Sequence, residues 1–474
     1  MKIKDAIGSL RRCFGWDKGV PPADSIASAR TAAVTLHRHL YAEAVGKFEA
    51  GDLAAANDLF AQFLRETNRG ALISADSPPY GLGDITSYDQ FEITFRELLN
   101  DKLVEWEKSG RRQPPFLDWL ERGHSRTASV SGKKMLFLIP QYIQNSTKFI
   151  EADFKDHLLD TAANAGADVQ MFPTDLCSYP EINLDKKIAK TELLRLSDRI
   201  AEFRPDIVVV DGNYMPTRDS LNPDLLNELK TKFNFKVIVF IGDAWGRPWI
   251  APADSWSLAS DVIYHFAPDS PLETECQFPE KLCWDAYLVN ERNFFPDPQK
   301  DLDISFVGTS GSDLRPFWLT AAIQTADEWQ LRHRLKPHKR EAGVALTIDE
   351  YAKVLRRSTM VLNFSSRYDT FKMMTGRTWQ AMTAGVVLLD EVNRFTPFYF
   401  EPFIHYVPFS TRKELAFAMR FFARNDDCAR QIGKAAAAFC RQHYSSDAIW
   451  SRLIGAAYAA DATTEDTRSK PKLT

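Results

Sequence analysis

Between Phe371 and Glu391 the chain reads Phe-Lys-Met-Met-Thr-Gly-Arg-Thr-Trp-Gln-Ala-Met-Thr-Ala-Gly-Val-Val-Leu-Leu-Asp-Glu. The chemistry in this stretch is anion binding. Gly376 permits close backbone approach, and Thr375 or Thr378 can cap the helix that follows. The unpaired amides at a helix start favour negative charge. Arg377 can fork onto phosphate oxygens, and Lys372 adds a point charge. A capped surface helix with an exposed arginine is the plainer alternative. A second turn, Gly308-Thr-Ser-Gly-Ser-Asp-Leu-Arg315, follows an apolar strand and runs into a helix. Its amides, the Ser310 hydroxyl and Arg315 suit a phosphate or a sugar, or merely a β–α turn capped by Ser312 or Asp313. Glu401, after the aromatic run Phe395-Thr-Pro-Phe-Tyr-Phe400, could accept two hydrogen bonds from a ribose diol, or be a solvated surface carboxylate. Neither a GxxxxGK[ST] loop nor a strand-borne GxGxxG is present.

These residues need elements to hold them. From Lys134 short apolar runs alternate with helical segments: Met135–Ile139, Asp168–Phe172, Asp206–Asp211, Lys236–Asp243 and Val262–Phe266 read as strands. A second cycle begins after Arg292, with strands expected at 304–308, 329–335, 360–365, 386–389 and 404–408. Apolar strands separated by helices imply parallel sheets covered on both faces. Ligands in such sheets bind beyond the strand C-terminal ends. In the first half that points to the loops Gln141–Ser146, Asp211–Tyr214 and Asp243–Arg247. The resulting fold class is α/β: two Rossmann-like parallel-sheet domains with a helical N-terminal extension. The expected divisions are 1–130 helical, with one tetratricopeptide-like hairpin at Gly51-Asp52, then 131–295 and 296–445 as the two sheet domains. A helix at 446–460 and a polar tail at 461–474 complete the chain. A linker is expected over Arg111–Lys133.

Composition narrows the class. The chain has 474 residues, 45% hydrophobic and 26% charged, with a formal net charge of -4. This is a soluble globular balance with no global reason to bind nucleic acid. The six cysteines and nine histidines form no close metal-ligand cluster, so no zinc site is expected. Asp301-Leu-Asp303 precedes its strand instead of ending it, which argues against a metal role. The cysteines read as reduced thiols in the cytoplasm. No apolar run reaches the roughly 20 residues of a spanning helix. Residues 1–20 carry Lys2, Lys4, Arg11, Arg12 and Lys18 beside Ile3, Ile7, Leu10 and Phe14 at helical spacing. This suits peripheral contact with an anionic membrane, or a helix packed on its own domain.

The second half resembles the GT-B glycosyltransferases, in the branch of the CgeB-like proteins and the family 1 and 4 transferases. The likeness spans about Ile304–His443. It rests on Phe306-Val-Gly-Thr309 with Arg315, Leu362-Asn-Phe-Ser365, and Thr375-Gly-Arg-Thr-Trp-Gln-Ala-Met-Thr-Ala-Gly-Val386. The resemblance implies a nucleotide-diphosphate sugar as co-substrate, no cofactor and no metal, and a glycan or glycoconjugate acceptor on the first domain. It implies Arg377 on the donor diphosphate and Glu401 on the ribose. One departure stands out: relatives have Phe-Glu-Ala where this chain has Trp379-Gln380-Ala381, so no charge is available at 380. An inverting reaction needs a base for the acceptor hydroxyl, for which Asp243 and then Asp211 are the choices. A retaining reaction needs none. Trp245, Arg247 and Asn213 are expected on the acceptor side. A non-catalytic sugar or nucleotide sensor and an interaction scaffold on the same fold are the other open classes.

Overall fold

The computed structural model describes residues 39–459 except 68–84, 86, 112, 125, 143–150, 176–185, 219, 243, 309–313, 336–345 and 366–371. The basic segment 1–20, the tail from 461, Asp243 and Ser310 lie outside the described residues.

The front piece is helical. Helices α1 (39–49) and α2 (Leu53–Thr67) form the hairpin expected at Gly51-Asp52, with Gly51 at φ 82° and the Asp52 carboxylate accepting from Ala55 N. Helix α3 (Tyr88–Lys108) is capped by Ser87, whose Oγ accepts from Gln90 N. The stretch expected to be a linker contains α4 (Pro115–Trp119), whose Phe116, Leu117 and Trp119 are buried. Phe116 packs against Trp284, Tyr399 and Tyr444, so three aromatic partners order a segment with little local pattern.

The first sheet contains β1 (Lys134–Ile139), β2 (Asp168–Pro173), β3 (Ile207–Asp211), β4 (Lys236–Phe240), β5 (Val262–His265) and β6 (Leu282–Trp284). It is all parallel in the order β2-β1-β3-β4-β5-β6. Its helices are α5 (a π-helical turn Lys155–Asp160 running into Thr161–Asn164), α6 (Lys186–Phe203), α7 (Pro223–Phe233), α8 (Ile250–Ser257) and α9 (Leu272–Glu275). Strand β3 is buried along its whole length, as a central parallel strand covered on both faces must be. Strand β6 was not expected from the sequence, because its three residues are too few to show a period.

The second sheet contains β7 (Leu302–Ser305), β8 (His333–Arg334), β9 (Ser358–Asn363), β10 (Val387–Glu391) and β11 (Val407–Phe409), parallel in the order β11-β10-β9-β7-β8. Around it lie α10 (Arg315–Glu328), α11 (Ile348–Arg356), α12 (Gly376–Thr383), α13 (Thr396–Tyr399), α14 (Arg412–Arg424) and α15 (Asp426–His443). Strands β8 and β11 are shorter than the apolar runs that announced them. Strand β11 also sits later, because Phe400–Tyr406 folds into a turn closed by His405 N donating to Glu401 O.

Each sheet reverses direction between its first and third strands in chain order: between β1 and β3, and between β7 and β9. Loops leave a crevice at such switch points. Two features join the lobes. An aromatic cluster contains Trp284 and Tyr287 from the first lobe with Trp379 and Tyr399 from the second. The last helix, α16 (Ser446–Ala459), crosses back to the first lobe. There Trp450 Nε1 donates to Thr161 Oγ1, and Arg452 pairs with the buried Asp285 through bonds of 2.7 and 2.8 Å. The front piece packs on the second lobe: Phe60 meets Phe317, Phe95 meets Phe421, and Asn57 donates to Gln324. It therefore extends the core of the second lobe.

Candidate functional site

Arg377 enters the switch point of the second sheet. It is the second residue of α12, whose start carries no side-chain cap. Its Nη1 donates to Asn363 Oδ1 (3.2 Å) at the end of β9, and its Nη2 to Val307 O just past β7. The guanidinium therefore spans the two strands between which the sheet reverses. Its carbon lies 4.7 Å from the centroid of the Phe306 ring, and that of Arg315 lies 6.0 Å from the same ring. The two turns singled out from the sequence thus converge: both arginines flank Phe306. A Cβ on Gly308 would sit 3.1 Å from Arg377 Nη2 and 2.9 Å from Phe306 Cζ, so the backbone passes where any side chain would crowd the guanidinium.

Arg377 takes part in no ion pair among the described residues, and its Nε is buried without a partner. A guanidinium has five N–H donors and cannot be neutralised. Positive charge held this way is available to an anion. The neighbouring Tyr351 supports it: its hydroxyl donates to Gln380 Oε1 at 2.7 Å. Burial raises the pKa of Tyr351, while Arg377, close enough to hydrogen-bond it, acts in the opposite sense. Gln380 is thus engaged as a neutral acceptor beside the arginine.

The start of α12 is open for a local reason. Two other helices of this lobe close theirs with capping boxes, Thr347 with Glu350 on α11 and Thr411 with Glu414 on α14, whereas α10, α13 and α15 also carry no side-chain cap. Thr375 instead donates its hydroxyl to Asn363 Oδ1 (3.0 Å). Thr378, the other expected contact, is fully buried and its Oγ1 accepts from Asn363 Nδ2 (3.3 Å). Gly376 faces the first lobe. A Cβ there would lie 2.6 Å from Tyr287 Cζ. Tyr287 in turn stacks on His157, in the π-helical turn of α5, at 5.3 Å. His157 Nε2 is buried without a partner, and burial lowers the pKa of this histidine. π-Helical turns recur at functional sites.

The remaining expected residues are dispersed. Lys372 Nζ donates to Val392 O beyond β10. Glu401 sits in the turn after α13, where its N–H donates to His405 Nδ1 (3.0 Å). In the first lobe, Asp211 is fully buried, and its Oδ1 accepts from both N and Nδ2 of Asn213 (3.0 and 2.7 Å). The Asn213 Oδ1 accepts from Gly242 N. Asp211 and Asn213 therefore lock the loops after β3 and β4 together. Just past β1, Asp175 accepts from Gln141 N and Tyr142 N at 2.6 and 2.8 Å. Trp245 packs on Phe395 of the second lobe at 4.9 Å, and Arg247 is largely exposed and paired with Glu275.

Sequence reasoning missed Asn363 as a centre, and it read Asp390-Glu391, like Glu401, either as a carboxylate for a ribose diol or as a solvated surface pair, not as a buried partner of Asn363. Both are polar residues closing apolar parallel strands, the signal that could have found them. Asp390 is fully buried, and burial pushes its pKa up to about 6 against the hydrogen bonds from Thr396, Asn363 and Asn393. Among the described residues no group of three or more His, Cys, Asp or Glu is placed to hold a metal ion.

Two facing parallel-sheet lobes, with a final helix returning to the first, constitute the GT-B architecture. The switch point that Arg377 spans lies in the second lobe. Residues 292–455, which contain that switch point, match the model of the glycosyl transferase-like family, so the second lobe is a glycosyltransferase-type domain. Among solved structures, sucrose-phosphate synthase from Thermosynechococcus elongatus is 12% identical with a TM-score of 0.47, over 69% of this chain and 100% of that one. HepE from Anabaena in complex with UDP is 10% identical with a TM-score of 0.41, over 69% of this chain and 100% of that one. A glycosyltransferase from Rickettsia africae is 9% identical with a TM-score of 0.45, over 70% of this chain and 100% of that one. No curated protein sequence matches the chain.

Proposed function

We propose that the protein transfers a sugar from a nucleotide-diphosphate sugar to a hydroxyl of a glycan or glycoconjugate, without a metal. One observation carries this reading: Arg377 and Arg315 flank Phe306 at the switch point of the second sheet, beside an uncapped helix start. Negative charge grows on the diphosphate as the glycosidic bond breaks. Fixed donors already aimed at it stabilise the transition state without reorganising. The guanidinium of Arg377, the first amides of α12 and the Gly308 turn supply such donors, and Ser310 belongs to the same turn. In this reading Lys372 and Glu401 serve more remote parts of the donor. The acceptor approaches from the first lobe, past Trp245 and Arg247, and Asp243 takes the proton of its hydroxyl if the reaction inverts. Asp211 and Asn213 act as the frame of that loop.

The test is thermal protection by UDP, GDP, ADP and TDP, followed by a transfer assay with the matching donor. One nucleoside diphosphate is expected to protect the wild type and not Arg377→Ala, and the variant's transfer rate should fall by about 100-fold or more. Equal protection of both proteins would overturn the donor-site assignment. Protection without transfer or donor hydrolysis would leave a sensor in place of an enzyme.

A further inference from the structure

Behind Arg377 lies a largely buried layer of hydrogen bonds. Asn363, 1% exposed, is its hub. Its Oδ1 accepts from Arg377 Nη1 (3.2 Å) and Thr375 Oγ1 (3.0 Å). Its Nδ2 donates to Asp390 Oδ1 (2.8 Å) and Thr378 Oγ1 (3.3 Å). All four hydrogen-bonding positions of the amide are thus engaged. On the far side, Asp390 Oδ2 accepts from Thr396 Oγ1 (2.7 Å) and Asn393 Nδ2 (3.1 Å).

An amide has two unlike ends, and a carboxylate can only accept. Asp390, anchored by two other donors, therefore requires the NH2 end of Asn363. That leaves the carbonyl end facing the guanidinium. The reverse orientation would set NH2 against Arg377 and oxygen against oxygen at Asp390. The same carbonyl draws away the hydroxyl of Thr375, which on α11 and α14 is the group that closes the helix start.

We propose that Asn363, oriented by Asp390, is a positioning residue for the diphosphate site: it aims Arg377 across the β7–β9 crevice and keeps the start of α12 uncapped. This rests on the donor-site reading above and adds to it the buried pair that prepares the site. Neither residue touches the ligand. Two features of an anion site, an oriented guanidinium and a helix start without a side-chain cap, depend on one side chain. A buried amide with all four of its hydrogen-bonding positions engaged gives the rigidity such aiming requires.

The experiment is a double-mutant cycle read by calorimetric binding of the protecting nucleoside diphosphate and of inorganic pyrophosphate. Asn363→Leu is expected to weaken both about tenfold in the wild-type background, the size of one charge-assisted hydrogen bond. In the Arg377→Ala background the same change should cost much less, because residues acting through one another are not additive. If the losses multiply, or Asn363→Leu leaves affinity unchanged, the positioning role is overturned while the donor site stands. If Arg377→Ala itself leaves affinity unchanged, or the wild type binds neither probe, the donor-site reading falls and the positioning role with it. Should Asn363→Leu fail to fold, the near-isosteric Asp390→Asn, which removes the acceptor-only neighbour, takes its place in the cycle with the same expected direction.

Discussion

Gly376→Ala tests how closely the two lobes meet at the crevice. The new methyl would lie 2.6 Å from Tyr287 Cζ, 2.8 Å from Cε1 and 3.0 Å from the hydroxyl oxygen. Ordinary carbon contacts begin near 3.5 Å, so the ring must move by about 1 Å. It has little room. His157 stacks on it at 5.3 Å, Phe266 meets it edge-on at 5.0 Å, and Trp379 lies at 6.0 Å. Overpacking of this kind costs about 1–3 kcal/mol. Against it stands the helix preference of alanine over glycine, about 1 kcal/mol in a helix interior and less at the first position. The overpacking term wins, for a net loss of about 0.5–2.5 kcal/mol. The assay is urea unfolding of four proteins: wild type, Gly376→Ala, Tyr287→Leu and the double variant. Leucine ends short of the Cε and Cζ positions, so in its background the alanine is expected to be neutral or stabilising. A penalty of equal size in both backgrounds would refute the contact as its cause, and no penalty in the wild type would refute the close approach itself.

Other outcomes follow from the buried charges. Arg452→Met leaves the Asp285 carboxyl without its cationic partner in a site only 2% exposed, and should cost about 3–5 kcal/mol in denaturant unfolding. Replacing both partners with apolar residues should recover most of that, and a small single-variant cost would show that water reaches the pair. His405 is held neutral: burial, with a smaller effect of His443, lowers its pKa from 6.5 to about 3. The unfolded chain therefore takes up the proton first as pH falls. The contribution of His405 to stability is full above pH 6.5 and is progressively lost towards pH 3. At pH 5 the loss is about 2 kcal/mol. The stability difference between wild type and His405→Gln should shift by that amount, against the wild type, between pH 8 and pH 5. A constant difference would contradict the buried neutral state.

The parts of the fold legible in the sequence were those with local causes. Runs such as Ile207-Val-Val-Val210 are apolar because a central parallel strand has both faces covered, and that pattern marks the strand wherever it lies in the sheet. The basic turn at Gly376-Arg377 and the glycine turn at Gly308 could be picked out as candidates for the same reason: backbone freedom, helix start and guanidinium are all local. Short elements escaped. Strand β6 and helix α4 owe their order to aromatic partners far along the chain, and the shortening of β8 reflects what its neighbour β7 offers.

By itself the sequence determined which segments form strands and helices, where polar residues close the strands, and that a fixed positive charge opens a helix in the second half. Only the tertiary structure decided which of these groups meet. The order β11-β10-β9-β7-β8 sets Val307 beside Asn363 and gives Arg377 a crevice to span, whereas an order that separated β7 from β9 would part them. It likewise decided that Asp175 binds the backbone of Gln141 and Tyr142 just past β1, and that Asp211 is bound to Asn213. Strand order arises from long-range pairing and shared burial. Local residue patterns are the same for every permutation of a parallel sheet, so they carry no record of it.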